Sequence, residues 1–318
     1  MINKFENEIE YLGHDLCRPE CVLTNANGDV FVSDFRGGVT RIDKHGEQTF
    51  WGGKADGIGL LQTNGFCLLK DGSFLIAHLG EESGGVYRLT RENQISPWLV
   101  EIDDQKLPPT NFVYLDHQDR IWITVSTRVS PRADAYRKFC DDGFIILVDQ
   151  QGARIVADGL GYTNEVWVNT EGTQLYVNAT FSRELIQFDI DNNTLINKKV
   201  LTTFGKGTFP DGLTMDQEGY LWVTSIVSNR VIRVAPDGTQ KVWLEDVKIN
   251  HIDWVEQAYE DNKMDREHLL TNGGEVLNNI SSLAFADDGI LLGCLLGEKI
   301  VRIKSGIKGV RPAHWLFQ

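Results

Sequence analysis

One phrase recurs along this 318-residue chain and constrains its fold more than any other feature: a short apolar run, a polar turn usually containing Gly, and a second apolar run. It begins at Pro19-Glu20, Thr63-Asn64, Thr110-Asn111, Thr163-Asn164, Pro210-Asp211 and Ile280-Ser281. The first runs are Val22-Leu23, Phe66-Cys67-Leu68, Val113-Tyr114-Leu115, Val166-Trp167-Val168, Leu213-Thr214-Met215 and Leu283-Ala284-Phe285. Gly28, Gly72, Gly219 and Gly289 each lie eight residues beyond their anchor, as does Asp119. Two more short strands follow each second run, as in 38–43 with 48–51 or 230–234 with 241–244. Each repeat therefore supplies four short strands joined by hairpin turns, the content of one propeller blade. The anchor spacings of 44, 47, 53, 47 and 70 fit a four-stranded blade plus insertions. The pattern predicts an all-β chain, one six-bladed β-propeller domain over residues 1–318 with four antiparallel strands per blade.

A propeller must close its ring, and the sixth repeat ends early, with its third strand near 299–303. Residues 8–12 and the exit loop after them share the pattern of 154–157 and the loop 158–160, which precede another anchor. The N-terminal strand is thus expected to complete the last blade, with closure by 313–317 as the alternative.

Charge and cysteine usage narrow the function classes. With 31 basic against 45 acidic residues, the formal net charge is −14, which disfavours a nucleic-acid partner or an anionic membrane. No apolar run approaches the ~20 residues of a membrane span, and residues 1–12, with Glu6, Glu8 and Glu10, do not read as a secretory segment. Five scattered cysteines without a CxxC spacing favour reduced thiols in a cytoplasmic protein and argue against zinc; Cys67 and Cys294 read as small core residues.

In a propeller the innermost strand of each blade lines the central channel, so the anchors ring one end of it. They are Glu20, Asn64, Asn111, Asn164, Asp211 and Ser281, and every one bears an oxygen. Two carboxylates and three amides in a narrow channel are costly to desolvate without a common partner, and a cation supplies one. Carboxylate and amide oxygens suit hard ions, and a wide ring suits the 6 to 8 ligands of Ca²⁺. Ca²⁺ fits best, with Mg²⁺ and Mn²⁺ as alternatives.

The motifs Arg18-Pro19-Glu20, Thr163-Asn164-Glu165 and Pro210-Asp211-Gly212-Leu213, set in six repeats, resemble the regucalcin and gluconolactonase family of metal-dependent propeller hydrolases. The resemblance implies that Glu20, Asn164 and Asp211 bind the metal. The related diisopropylfluorophosphatase and paraoxonase propellers add an Asn that resembles Asn111. It also implies that Asp211 is the nucleophile or general base. One departure bears on substrate: sugar-lactonase members carry Arg two residues before the third-blade Asn, where this chain has Pro109-Thr110-Asn111.

The loops entering each first strand and those between second and third strands lie on one face. The two longest insertions, 127–142 and 246–279, fall there and are expected to roof the site. The first carries Arg128, Arg132, Arg137 and Lys138; Arg128, nearest the strand end, is the candidate for substrate binding, with Asn111. His45 and His117 read as solvated turn residues on the opposite face, whereas His14, His78 and His251 lie where they could assist chemistry. Trp51, Trp98 and Trp243 on outermost strands, and Trp122 and Trp222 on second strands, read as packing between blades.

The expected function is hydrolysis of a small ester or lactone at a channel-bound cation, the ion polarising the carbonyl and Asp211 acting as base or nucleophile. Two readings compete with it: a non-catalytic interaction scaffold with a structural cation, and a phosphotriesterase-type hydrolase.

Overall fold

The computed structural model describes residues 8–82 and 84–318, so the reading of residues 1–12 falls largely outside it. Among the described residues, six four-stranded antiparallel sheets follow one another around a central channel. Blade one runs outward from Val22–Thr24 through Val30–Asp34 and Gly38–Ile42 to Gln48–Gly52. The next four blades start at Thr63–Leu68, Thr110–Leu115, Thr163–Val168 and Phe209–Met215. Blade six comprises Ile280–Ala286, Gly289–Cys294 and Ile300–Lys304, and its outermost strand is Ile9–Leu12, with Ile9 opposite Ile303 and Leu12 opposite Ile300. Joining the two ends of the chain in one sheet removes the seam, and with it an unpaired inner edge.

The chemistry of each repeat explains its place. In blade two the inner strands Thr63–Leu68 and Phe74–His78 are buried throughout, whereas Ile95–Leu99 is mostly exposed. The turn residues eight beyond the anchors meet a backbone demand: Gly28, Gly72 and Gly219 have φ of 82°, 82° and 84°, and Asp119 has 58°. That left-handed region costs Gly nothing and is tolerated by Asp. Inside blades three and five, Asp116 and Asp216 each accept a 2.8 Å hydrogen bond from the buried indole of Trp122 or Trp222, and each also accepts from backbone N–H groups of its own turn. The outer tryptophans lie on the strands Gln48–Gly52, Ile95–Leu99 and Gln240–Glu245.

Both long insertions fold over one channel mouth. Residues 127–142 make a short 3₁₀ turn, Arg132–Ala135. Residues 246–279 make helices α1 (Ile249–Glu260) and α2 (Arg266–Leu270). Tyr136 from the first insertion and Val255, Tyr259 and Met264 from the second share an apolar cluster with Tyr162, Phe181 and Phe209 of the blades. Polar ties hold this roof down: Arg137 Nη1 donates to the Met264 carbonyl at 2.6 Å, and Arg183 pairs with Glu256 at 2.7 Å.

The C-terminal segment crosses the opposite mouth. Val310 N–H donates to the Met215 carbonyl, Gln217 N–H to the Lys308 carbonyl, and Ala26 N–H to the Trp315 carbonyl. Residues 313–317 are therefore a strap over the far face and not an edge strand. Pro312 lacks an N–H, and the turn Ala313–Leu316 that follows is 3₁₀. All five cysteines are free, with Cys67 and Cys294 buried. Among the described residues no helix is long and apolar enough to cross a membrane.

Candidate active site

The six anchors are all buried at the start of the innermost strands. Register shifts sit at five of these starts, at Thr63/Phe66, Thr110/Phe112, Thr163/Val166, Pro210/Leu213 and Ile280/Leu283. A bulge turns successive side chains towards one side of a strand, which an uninterrupted strand cannot do. Gly212 permits the close approach behind Asp211: a Cβ there would lie 2.5 Å from the Ser281 carbonyl oxygen and 2.6 Å from Ser282 Cα.

Glu20, Asn111, Asn164 and Asp211 line one cavity of about 110 Å³ beneath the roof. A narrow neck below it is lined by these four with Asn64, Glu165 and Ser281. Each side chain is held by neighbours. Arg18 Nε donates to Glu20 Oε2 at 2.8 Å. Asn164 Nδ2 donates to Thr180 Oγ1 at 3.1 Å, and the Asn164 side chain also hydrogen-bonds the Asp211 carboxyl. Asn178 Nδ2 donates to the Asp211 carbonyl at 3.0 Å, fixing the backbone. Ser281 gives its hydroxyl proton to the Glu20 carbonyl at 2.8 Å.

The electrostatics are unbalanced. Burial, and after it the Glu20 and Glu165 carboxylates, hold the Asp211 carboxyl well above its ordinary pKa. Burial also pushes Glu165 up to about 8, although Leu213 N–H donates to Glu165 Oε2 at 2.9 Å. Asn64 Oδ1 and Asn111 Oδ1 are buried without a hydrogen-bonding partner. Three buried carboxyl groups with one guanidinium on Glu20, beside unpaired amide oxygens, are the donor set a hard divalent cation would satisfy. Among the described residues no three His, Cys, Asp or Glu side chains gather as a metal site. A cation at this ring would therefore take amide oxygens together with its two anchor carboxylates.

Arg128 lies elsewhere. Its guanidinium pairs with Asp158 at 2.7 Å, donates to the Asp142 carbonyl and lies over the Phe144 ring, and it does not line the cavity. Arg132, from the same insertion, does line it, together with Arg18, Tyr136, Tyr162 and Arg266. Arg18 is occupied by Glu20 and Arg266 by Glu81 at 2.6 Å, whereas no carboxylate lies within ion-pair distance of the Arg132 guanidinium among the described residues. Tyr136 and Tyr162 hydrogen-bond each other, and burial keeps the Tyr162 hydroxyl protonated. His14, His78 and His251 do not line this cavity. Glu165 is the residue that sequence reasoning missed, and Arg132 was named with its basic neighbours but not chosen from them. Simple strand alternation points Glu165 away from the channel, and nothing local distinguishes Arg132 from its basic neighbours.

A family model described as the SMP-30/gluconolactonase/LRE-like region matches residues 18–245. Among solved structures, a gluconolactonase from Xanthomonas campestris superposes with a TM-score of 0.65 at 15% identity, over 93% of this chain and 88% of that one. A calcium-binding protein, regucalcin, from Agrobacterium tumefaciens superposes with a TM-score of 0.67 at 15% identity, over 97% and 98%. Virginiamycin B lyase from Staphylococcus aureus superposes with a TM-score of 0.59 at 12% identity, over 93% and 99%. At such identities these likenesses speak for the fold, which carries more than one chemistry.

Proposed function

This chain belongs to the SMP-30/gluconolactonase/LRE-like family, and on that premise we propose that it hydrolyses a small lactone or ester at a divalent cation, Ca²⁺ by preference, held by Glu20, Asn164 and Asp211 with help from Asn111. The observation that carries this reading is the gathering of these four side chains around one cavity, with the Asp211 carboxyl held well above its ordinary pKa by burial. When bound, the cation would polarise the substrate carbonyl and lower the pKa of water. The remaining work falls to the chain. Asp211, ionised once a cation offsets its burial, takes the proton of the attacking water, and Asn164 orients its carboxyl. Arg18 holds Glu20 in place. Phe181, Ile226 and Leu295 give the cavity apolar walls that limit competing water.

Arg132 takes the substrate-binding role for which Arg128 is the sequence candidate, since it offers an uncommitted guanidinium to a carboxylate or ester oxygen. Arg132→Ala should raise KM for a carboxylate-bearing lactone about tenfold with kcat little changed, whereas Arg128→Ala leaves both near wild type. Steady-state kinetics on the two variants checks this; a KM defect in Arg128→Ala alone would reverse the assignment. The broader test is a panel of lactones, aryl esters and phosphotriesters assayed with and without Ca²⁺. Turnover confined to phosphotriesters, or absent throughout, would replace the lactonase reading.

A further inference from the structure

The channel does not end at the anchor ring. Beyond the neck it widens into a second cavity of about 340 Å³, bordered on the far side by the C-terminal strap. Its wall repeats the logic of the ring one step further on. Three residues past each anchor stand Leu23, Cys67, Tyr114, Trp167, Thr214 and Ala284, and all six line this space. Nothing in the hydrolytic mechanism uses it.

Two features define what fits there. The first is aromatic and uncharged character: the Tyr114 and Trp167 rings lie 5.6 Å apart, and Phe66, Phe112, Phe285 and Trp315 complete the lining. Charged side chains among the lining residues sit only at the ends, Glu165 by the ring and Asp287, Lys308 and Arg311 by the strap. Lys308 is already committed, its Nζ donating to the Asp287 carbonyl. A charged ligand would lose its hydration without compensation in such an interior. The second feature is unmet polarity. Trp167 Nε1 and His314 Nε2 are buried, belong to residues that line the cavity, and have no hydrogen-bonding partner, whereas the Tyr114 hydroxyl meets the Val168 backbone. Trp167 offers an N–H. His314 is kept neutral by burial and hydrogen-bonds the Thr24 backbone. Buried polar groups of this kind are normally satisfied, and two beside one cavity call for an occupant.

We propose that the far half of the channel is a binding site for a small, uncharged aromatic molecule bearing a hydroxyl group, seated between the Tyr114–Trp167 wall and the His314–Trp315 strap. A hydroxyl accepts from the Trp167 N–H, and the ring system packs on the aromatic lining. The site is separated from Asp211 by the neck, so its occupation does not depend on the hydrolytic reading.

2-Naphthol is a suitable probe, being uncharged at pH 7, aromatic and fluorescent. Titrated into the full-length protein, it should bind one molecule per chain with a Kd of about 10–100 µM, as expected of so small a ligand in a preformed pocket. Trp167→Phe retains a ring but loses the N–H and should weaken binding about five- to tenfold. Ala284→Phe fills part of the space and should abolish binding while lactone hydrolysis persists. Asp211→Asn should leave naphthol affinity unchanged, which separates this site from the roofed one. Failure of wild-type protein to bind would overturn the proposal and leave water as the occupant. Equal binding by wild type, Trp167→Phe and Ala284→Phe, each with an intact cooperative melt, would place the probe elsewhere and overturn it as well.

Discussion

Asp211→Asn lowers kcat for the best lactone substrate by about 10²-fold or more, as expected when a general base is removed. It nevertheless retains measurable Ca²⁺ affinity. Asn keeps the shape of the side chain and one carbonyl oxygen, and Asn178 still anchors the backbone behind it by donating to the Asp211 carbonyl at 3.0 Å. What disappears is the charge and the proton-accepting oxygen. Asn164→Ala makes the informative contrast, because it deletes a neutral oxygen and acts chiefly through weaker cation binding. Rates measured over a Ca²⁺ series separate the two: excess ion should restore much of the Asn164→Ala rate and little of the Asp211→Asn rate. Full restoration of Asp211→Asn would reduce Asp211 to a ligand.

The second large effect concerns stability without the cation. Glu165 holds its proton in the folded protein to about pH 8, against an ordinary value of 4.5, and burial pushes Asp211 in the same direction. Between those limits the folded chain binds protons that the unfolded chain has released, so stability falls as pH rises, by up to about 1.4 kcal/mol per pH unit for each such group. Chelator-treated protein should therefore melt at progressively lower temperature from pH 5 to pH 8. Added Ca²⁺ should raise Tm more at pH 8 than at pH 5, because the ion binds the ionised ring. Glu165→Gln should flatten the pH slope. A Tm that rises across this window in chelated protein, or a Ca²⁺ effect independent of pH, would contradict this account of the buried carboxyls.

Much of this was open to sequence reading because the repeats carry their chemistry at fixed positions. Once the alternating runs define innermost strands, an oxygen-bearing residue at each start must face the channel, and Glu20, Asn111, Asn164 and Asp211 do line one cavity. The insertions 127–142 and 246–279 were legible from length and strand direction alone. Glu165 was not, because the register shift between Thr163 and Val166 breaks the alternation that assigns neighbouring side chains to opposite faces. Arg132 was not, because the choice between it and Arg128 is made by Asp158, which captures Arg128 from the exit of a different strand. The alternative closure by 313–317 fails because that segment finds its partners in the turns of several blades rather than in one sheet edge.

The most direct measurement of the central claim is the rate of lactone hydrolysis as chelator-stripped protein is titrated with Ca²⁺, with ion binding followed by calorimetry on the same preparation. The account predicts negligible turnover in the stripped protein, and a rate that rises in step with occupation of one site per chain. Undiminished hydrolysis by stripped protein, or a filled site with no turnover of any substrate in the panel, would contradict it.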